Sequence, residues 1–190
     1  MAIFVAVSCP VKAQHVAKVY SAYEAGDYAT DLQEWRPFAE QGNSSAQLSL
    51  GWIYFLGEGL PQDYNEAVKW FRKAAKQGDA EAQRVLGVMY INGHGVLQDY
   101  EEAVRWYREA AEQGDAMAQG ILGVLYINGL GVLQDNILAH MWYNIASANG
   151  DESGAENRDK IAKLMTPQDI SKAQAMAQDC MNSNYQNCGD

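Results

Sequence analysis

The sequence is poor in several residue types, and each shortage excludes a class of protein. Lys and Arg number 14 against 24 Asp and Glu, and the resulting net charge of −10 argues against a nucleic acid or an anionic membrane as the main partner. No apolar run approaches 18 residues, so no transmembrane helix is expected. The few His and Cys residues do not form H-E-x-x-H or C-x-x-C motifs, so we predict no metal ion, cofactor or catalytic residue.

Glycines, by contrast, are frequent and regularly spaced. A step of 36 residues separates Gly42, Gly78, Gly114 and Gly150. The same step relates Trp70, Trp106 and Trp142, and residues 66–100 and 102–136 are identical at 25 of 35 positions. A fixed period of this size indicates an array of supersecondary units stacked on one another.

Each unit is predicted to contain two helices, of which the first carries a glycine at mid-length. Ala82, Leu86 and Tyr90 are four residues apart and therefore share one face. Gly87 lies inside this helix, where glycine costs about 1 kcal/mol relative to alanine. Its recurrence predicts a close approach by a neighbouring helix. The helix is expected to end at the motif Gly93-His94-Gly95, with a glycine as its left-handed cap.

The second helix is predicted to begin at Asp63, with Glu66 completing an acidic variant of the capping box. Its apolar stripe follows the helical period and consists of Ala67, Trp70, Phe71 and Ala74. Its cations are Lys69, Arg72, Lys73 and Lys76. Since the whole molecule is acidic, we interpret these cations as a solvated face and not as a nucleic-acid site.

The unit resembles a known repeat. Its consensus runs A-x-A-Q-x-x-L-G-x-x-Y, then G-x-G-V-x-Q-D, then E-A-V-x-W-a-R-x-A-A-x-Q-G, where a is aromatic. This pattern is similar to the Sel-1-like repeat of the tetratricopeptide superfamily. We place repeats at 42–77, 78–113 and 114–150, the last with a degraded second half. The expected fold is all-α, a right-handed α/α solenoid of 36-residue helix hairpins with divergent terminal helices.

The ends of the chain are expected to differ from the repeats. Residues 15–41 are predicted to form an N-terminal capping helix pair. Residues 151–181 are predicted to form C-terminal capping helices, the last of which begins at Thr166-Pro167. Residues 182–190 are predicted to be a tail. Residues 1–14 are either the remnant of a secretory leader or a disordered tail. The leader interpretation predicts a periplasmic or secreted protein, and the alternative is a cytoplasmic one.

Two features near the ends have more than one interpretation. Cys180 and Cys188 form a disulfide in an oxidising compartment, or stay two free thiols. The sequon at Asn43 is interpreted as a helix cap, not as a glycosylation site. Among the histidines, His94 is predicted to be a solvated loop residue and His140 a structural one.

Members of the resembled family are scaffolds, which implies a protein or peptide partner in a concave groove lined by the first helices. We expect a monomer. The predicted lining residues vary between repeats and are Leu48, Trp52, Phe55, Glu81, Arg84, Val88, Asn92, Met117, Val124 and Asn128, with Ser45 and Gly120 at matching positions. Trp52 and Arg84 are the predicted hot spots. Packing of Trp52 into the N-terminal cap is the alternative for that residue.

An enzyme is the competing hypothesis for function. Cysteine-rich relatives of the repeat family suggest a periplasmic hydrolase or binder of penicillin-like cell-wall compounds. Those relatives carry a regular Cys pair in each repeat, whereas this chain has no Cys between Cys9 and Cys180. The nucleophile motif Ser-x-x-Lys is also missing. We therefore predict a non-enzymatic protein.

Overall fold

The computed structural model describes residues 35–57, 59–186 and 188, and these residues contain helices and no strand. Residues 35–40 are helical. The following helices are α1 (Ser44–Leu56), α2 (Tyr64–Ala75), α3 (Ala80–Asn92), α4 (Tyr100–Ala111), α5 (Ala116–Asn128), α6 (Asn136–Ala148), α7 (Glu152–Ala162) and α8 (Pro167–Asn182). The predicted leader remnant and most of the predicted N-terminal capping pair lie outside the described residues.

The first six helices form three hairpins, and each helix packs on the next one along the chain. The pairs α1–α2, α3–α4 and α5–α6 are therefore linked into a continuous array by α2–α3 and α4–α5 contacts. The predicted all-α solenoid of 36-residue units is confirmed. Its predicted apolar stripe is also confirmed, because Ala67, Trp70, Phe71 and Ala74 are all buried.

Aromatic rings of the second helices pack against the mid-helix glycines of the first helices. A Cβ atom on Gly87 would lie 2.7 Å from the Tyr107 ring, and one on Gly123 would lie 2.7 Å from the Tyr143 ring. Both distances are too short for an alanine side chain. The predicted close approach at these glycines is confirmed, and the approaching group is a ring of the paired helix.

The G-x-G motif fixes the loop between the two helices of a unit. Gly93 caps α3 with a φ of +69°, and its N–H donates to the carbonyl of Met89. Gly95 also has a positive φ, of +68°. A Cβ atom on Gly95 would overlap the backbone carbonyl of Tyr64 in the preceding unit. This loop is thus held against the start of α2, which contributes to the spacing of neighbouring hairpins.

Aspartates cap the second helices, but the capping box is only half formed. The carboxylate of Asp63 accepts the backbone N–H groups of Asn65 and Glu66, at 2.9 and 3.1 Å. The Glu66 side chain does not return to the cap and instead pairs with Lys69. The predicted capping box is therefore incomplete, because the backbone N–H of Asp63 donates to the carbonyl of Tyr54, at 2.9 Å, and is not available to Glu66.

Three buried glutamines link successive helices through side-chain amides. Each amide donates to the carbonyl of a residue eight positions earlier, Gln47 to Ala39, Gln83 to Ala75 and Gln119 to Ala111, at 2.9 to 3.1 Å. Each also accepts a hydrogen bond from the end of the next helix, from Gln77, Gln113 and Asn149 in turn. We call these six residues the amide ladder. It satisfies the side-chain amides of the three buried glutamines.

The C-terminal helices leave the regular pattern, since α7 and α8 both pack on α6. Thr166 caps α8 and Pro167 follows as its first residue. A disulfide joins Cys180 to Cys188, with Cα atoms 5.0 Å apart. Inside this loop the Tyr185 hydroxyl donates to Oδ1 of Asn149, at 2.8 Å, and so extends the amide ladder by one member.

Candidate binding groove

The predicted groove residues lie on α1, α3 and α5, and the structure separates them by exposure. The exposed ones are Ser45, Glu81, Asn92, Met117, Val124 and Asn128. The half-buried ones are Leu48, Trp52, Phe55, Arg84 and Val88, and Gly120 is buried. Half of the predicted set therefore also contributes to packing between helices.

Trp52 is held by contacts to neighbouring helices. Its ring meets Phe55 and Phe71 edge to face, with ring centroids 5.6 and 5.4 Å apart. Its indole Nε1–H donates to Oε1 of Glu81 on α3, at 3.1 Å. The described contacts of Trp52 thus lie within its own hairpin and the next helix, and none of these partners is in the N-terminal segment. Two edge-to-face aromatic contacts and a hydrogen bond together hold the indole in one orientation.

Arg84 forms a salt bridge across two units. Its Nε lies 3.2 Å from Oδ2 of Asp115, and the two side chains are only 22% and 19% exposed. The other oxygen of Asp115 accepts the backbone N–H of Ala118 and so caps α5. The guanidinium is therefore engaged in joining α3 to α5. A partner that used Arg84 would have to share it with Asp115.

Two asparagines of the groove have the same orientation one repeat apart. The Asn92 amide donates to the carbonyl of Val88 at 2.9 Å, and the Asn128 amide donates to the carbonyl of Val124 at 2.8 Å. Both side chains lie on the exposed surface. Each amide still has further donor and acceptor capacity, because an asparagine carries two N–H groups and a carbonyl oxygen.

Among the predicted groove residues, the exposed apolar side chains are on α5. Met117 is 61% exposed and Val124 is 42% exposed. They are seven residues apart and so lie on one side of the helix. Leu56, 47% exposed on α1, occupies the position of Asn92 and Asn128 and was not predicted. The 36-residue register is the signal that would have found it. Exposed apolar side chains grouped on one face are typical of interaction surfaces.

Burial shifts the pKa values of two tyrosines that pack against the first helices. Burial raises the pKa of Tyr107 and of Tyr143, so both phenols stay neutral. His94 was predicted to be a solvated loop residue, which is wrong. Its ring is half-buried and stacks on Tyr64, with centroids 4.5 Å apart. The loop folds back on α2 and carries the imidazole with it.

His140 is buried on α6, and burial together with the Arg158 charge lowers its pKa. Among the described residues, no group of three or more His, Cys, Asp or Glu could hold a metal ion. Within the same part of the chain, every helix is too short or too polar to cross a membrane.

Comparison with known protein families gives a match over most of the array. The profile of the Sel1 repeat matches residues 44–79, 80–115 and 116–151. These matches begin two residues later in each unit than the repeats placed from the glycine spacing. Among curated proteins, none matches the chain significantly.

Solved structures provide three similar proteins. The first is c5321, a protective antigen present in uropathogenic Escherichia coli strains displaying an SLR fold, with 37% identity over 82% of this chain and a TM-score of 0.74. This chain spans 34% of the length of that antigen. The second is a Sel1 repeat protein from Oxalobacter formigenes, with 40% identity over 68% of this chain and 98% of that one, and a TM-score of 0.63.

The third is the Helicobacter pylori cysteine rich protein B, with 23% identity and a TM-score of 0.55, covering 68% of this chain and 93% of that one. At this identity the likeness concerns the fold alone. All three similar proteins come from bacteria, and two of them share at least 37% of matched residues with this chain.

Proposed function

The chain belongs to the Sel1 repeat family, and on this premise we propose that it is a non-enzymatic scaffold that binds a protein or peptide partner. The proposed site is the groove face, formed by the exposed side chains of α1, α3 and α5 that are named above. Sel1 repeat proteins are in general protein-interaction scaffolds. The finer assignment, to this face of this chain, rests on its own residues.

The observation that carries the proposal is the exposure of Met117 and Val124. The positions that repeat between units are buried in the core, as at Leu86 and Leu122. Met117 and Val124 contribute little to that core and leave apolar surface in water. A partner that covers them gains the free energy of removing this surface from water, about 25 cal/mol for each Å².

The groove face carries few charges, which favours a partner segment with apolar side chains whose backbone groups accept and donate hydrogen bonds. The three first helices carry only two ionisable groups besides tyrosines, Glu81 and Arg84. Arg84 is paired with Asp115, and Glu81 accepts the indole N–H of Trp52. Asn92 and Asn128 supply amides that suit backbone groups of an extended peptide.

Affinity capture from the native host tests the proposal. The double variant Met117→Asp/Val124→Asp is expected to lose most of the partner recovered by the wild type, because two charges then face an apolar segment. Leu97→Asp/Leu133→Asp is the matched control, since both leucines are 90% exposed in loops outside the groove face. Equal recovery by all three proteins contradicts the assignment to this face.

The hydrolase alternative has no supporting observation, and a nitrocefin assay with the purified protein tests it directly. Turnover above the rate without protein contradicts the non-enzymatic proposal. We also propose that the chain acts as a monomer, for which light scattering of the purified protein gives the mass.

We propose export to the periplasm or secretion, supported by the Cys180–Cys188 disulfide, because structural disulfides persist in oxidising compartments. Maleimide labelling of protein taken directly from host cells tests this. Blocked thiols that become reactive only after reduction are expected. Two freely labelled thiols support the cytoplasmic alternative.

A further inference from the structure

The outer face of α2 is basic, although the whole protein carries a net charge of −10. Residues 66–76, which include the C-cap of α2, contain four cations and one carboxylate. The cations are Lys69, Arg72, Lys73 and Lys76, and the carboxylate is Glu66. Together with Trp70 these residues line a shallow depression on the surface. We call the four cations the basic face. It lies on a second helix of a unit and shares no residue with the groove face.

The four cations of the basic face differ in whether they have a hydrogen-bond or ion-pair partner within the protein. Lys69 pairs with Glu66, and Arg72 donates to the Tyr90 hydroxyl at 2.6 Å. The Nζ atom of Lys73 lies 3.7 Å from the centre of the Trp70 ring. Among the described residues neither Lys73 nor Lys76 has a carboxylate within salt-bridge distance, and both side chains are exposed. Two positive charges are thus available to a ligand.

The second repeat shows that the fold does not require these lysines. Lys73 corresponds to Glu109 and Lys76 to Glu112, so the charge is reversed at both positions. These are two of only ten differences in the compared 35 positions. Helix α4 and its C-cap together contain four carboxylates and two cations. Because α4 forms an equivalent helix with glutamates, the fold does not require the positive charge on α2.

We propose that the basic face binds a short carboxylate-rich segment of another polypeptide. Lys69, Lys73 and Lys76 extend over seven helical residues, or about 10 Å. In an extended peptide, alternate side chains point to the same side and repeat about every 6.6 Å. Two or three acidic residues at alternate positions therefore match the spacing of the lysines.

The size of the basic face favours a short acidic segment over a nucleic acid or an anionic bilayer. A long polyanion extends far beyond four cations and meets the acidic remainder of the protein, including the carboxylates of α4. A short segment stays within about 8 Å of the lysines, the distance over which charges act at physiological ionic strength. Local attraction then exceeds the repulsion by the rest of the molecule.

Titration of the full chain with the peptide acetyl-(Glu-Ser)₄-amide at physiological ionic strength, followed by amide and indole NMR shifts, tests the proposal. We expect shifts at residues 69–77 and at the Trp70 indole, and weaker binding as salt is added. The neutral peptide acetyl-(Gln-Ser)₄-amide is expected to give none. Lys73→Glu/Lys76→Glu, which copies the α4 residues, is expected to weaken binding about tenfold.

The control variant is Lys163→Glu/Lys172→Glu, which changes the net charge by the same amount at two exposed positions, the C-cap of α7 and the first turns of α8. It is expected to bind the acidic peptide within about twofold of the wild type. Equal weakening by both double variants, or shifts centred outside α2, overturns the proposal. It is also overturned if phosphatidylserine vesicles or an oligonucleotide bind α2 and the peptide does not. None of these results depends on the groove face.

Discussion

The ring of Tyr107 lies directly on the backbone of Gly87, so close that a Cβ atom on Gly87 would be 2.7 Å from it. The same pairing recurs one unit earlier and one unit later, between Gly51 and Phe71 and between Gly123 and Tyr143. A glycine that costs helical propensity is thus required by the aromatic residue of the paired helix. This contact sets how closely the two helices of a hairpin approach.

Gly87→Ala is expected to destabilise the protein by about 1–3 kcal/mol, because the added methyl group overlaps the Tyr107 ring in a packed core. Urea unfolding measures the change. The same substitution made in a Tyr107→Ala background tests the cause. There the methyl group has room, and the better helix propensity of alanine is expected to stabilise by up to about 1 kcal/mol. Destabilisation of equal size in both backgrounds contradicts the explanation.

Gln83→Met is expected to cost about 1 kcal/mol, because the buried carbonyl of Ala75 loses one of its two hydrogen bonds and keeps the one from the Gly78 N–H. Methionine has a similar shape, so the cavity contribution is small. Gln113→Met is the comparison, since Gln113 is exposed and this variant removes the donor to Oε1 of Gln83 while leaving the bond from Gln83 to Ala75 in place. Thermal unfolding of both variants gives the comparison. Equal stability of the two would mean that the amide ladder does not depend on burial.

Most of the fold follows from the sequence because repeats show which positions are packed. Trp70 and its equivalents mark the core stripe, and glycines such as Gly93 mark the helix ends. The pairing of helices within a unit is then fixed by short loops. In a stacked array of hairpins, the apolar stripe of each unit is covered by its neighbours.

The contacts across units were not predicted, because they depend on the angle between successive hairpins. Arg84 and Asp115 are 31 residues apart and meet only once that angle is set. The sequence marks Arg84 as a variable position, and this suits a partner contact and a cross-unit salt bridge equally well. The same holds for Trp52, whose link to Glu81 spans 29 residues. Variation between repeats alone does not separate the two roles.

His140 is expected to make the stability of the protein depend on pH. Burial and the charge of Arg158 lower its pKa below the usual value of 6.5, so the unfolded chain takes up the proton first as pH falls. This contribution to stability is full above pH 6.5 and is lost as pH decreases through and below that value. Urea unfolding at several pH values between 7.5 and 5.5 measures the slope.

His140→Val tests the source of that slope, since valine occupies the same position in the other two units, at Val68 and Val104. The variant is expected to lose most of the dependence over this range. A slope that persists in the His140→Val protein would assign the effect to other groups.

The disulfide between Cys180 and Cys188 is expected to stabilise the C-terminal end by about 2.5 kcal/mol, the value for closing a loop of this length. Reduction, or the variant Cys180→Ser/Cys188→Ser, releases the turn that carries Tyr185, whose φ of +64° is unfavourable for a bulky side chain. The hydrogen bond from Tyr185 to Asn149 is then lost as well.

Hydrogen exchange locates this effect along the chain. Protection is expected to fall at the end of α8 and around Asn149, and to stay unchanged in α1 and α2, which lie at the other end of the array. Tyr185→Phe removes only the hydroxyl contact and is expected to cost about 1 kcal/mol. Uniform loss of protection through all helices would show that the tail supports the whole array, because a break at one end then unfolds every unit. Unchanged hydrogen exchange at Asn149 would instead show that the tail does not stabilise the amide ladder.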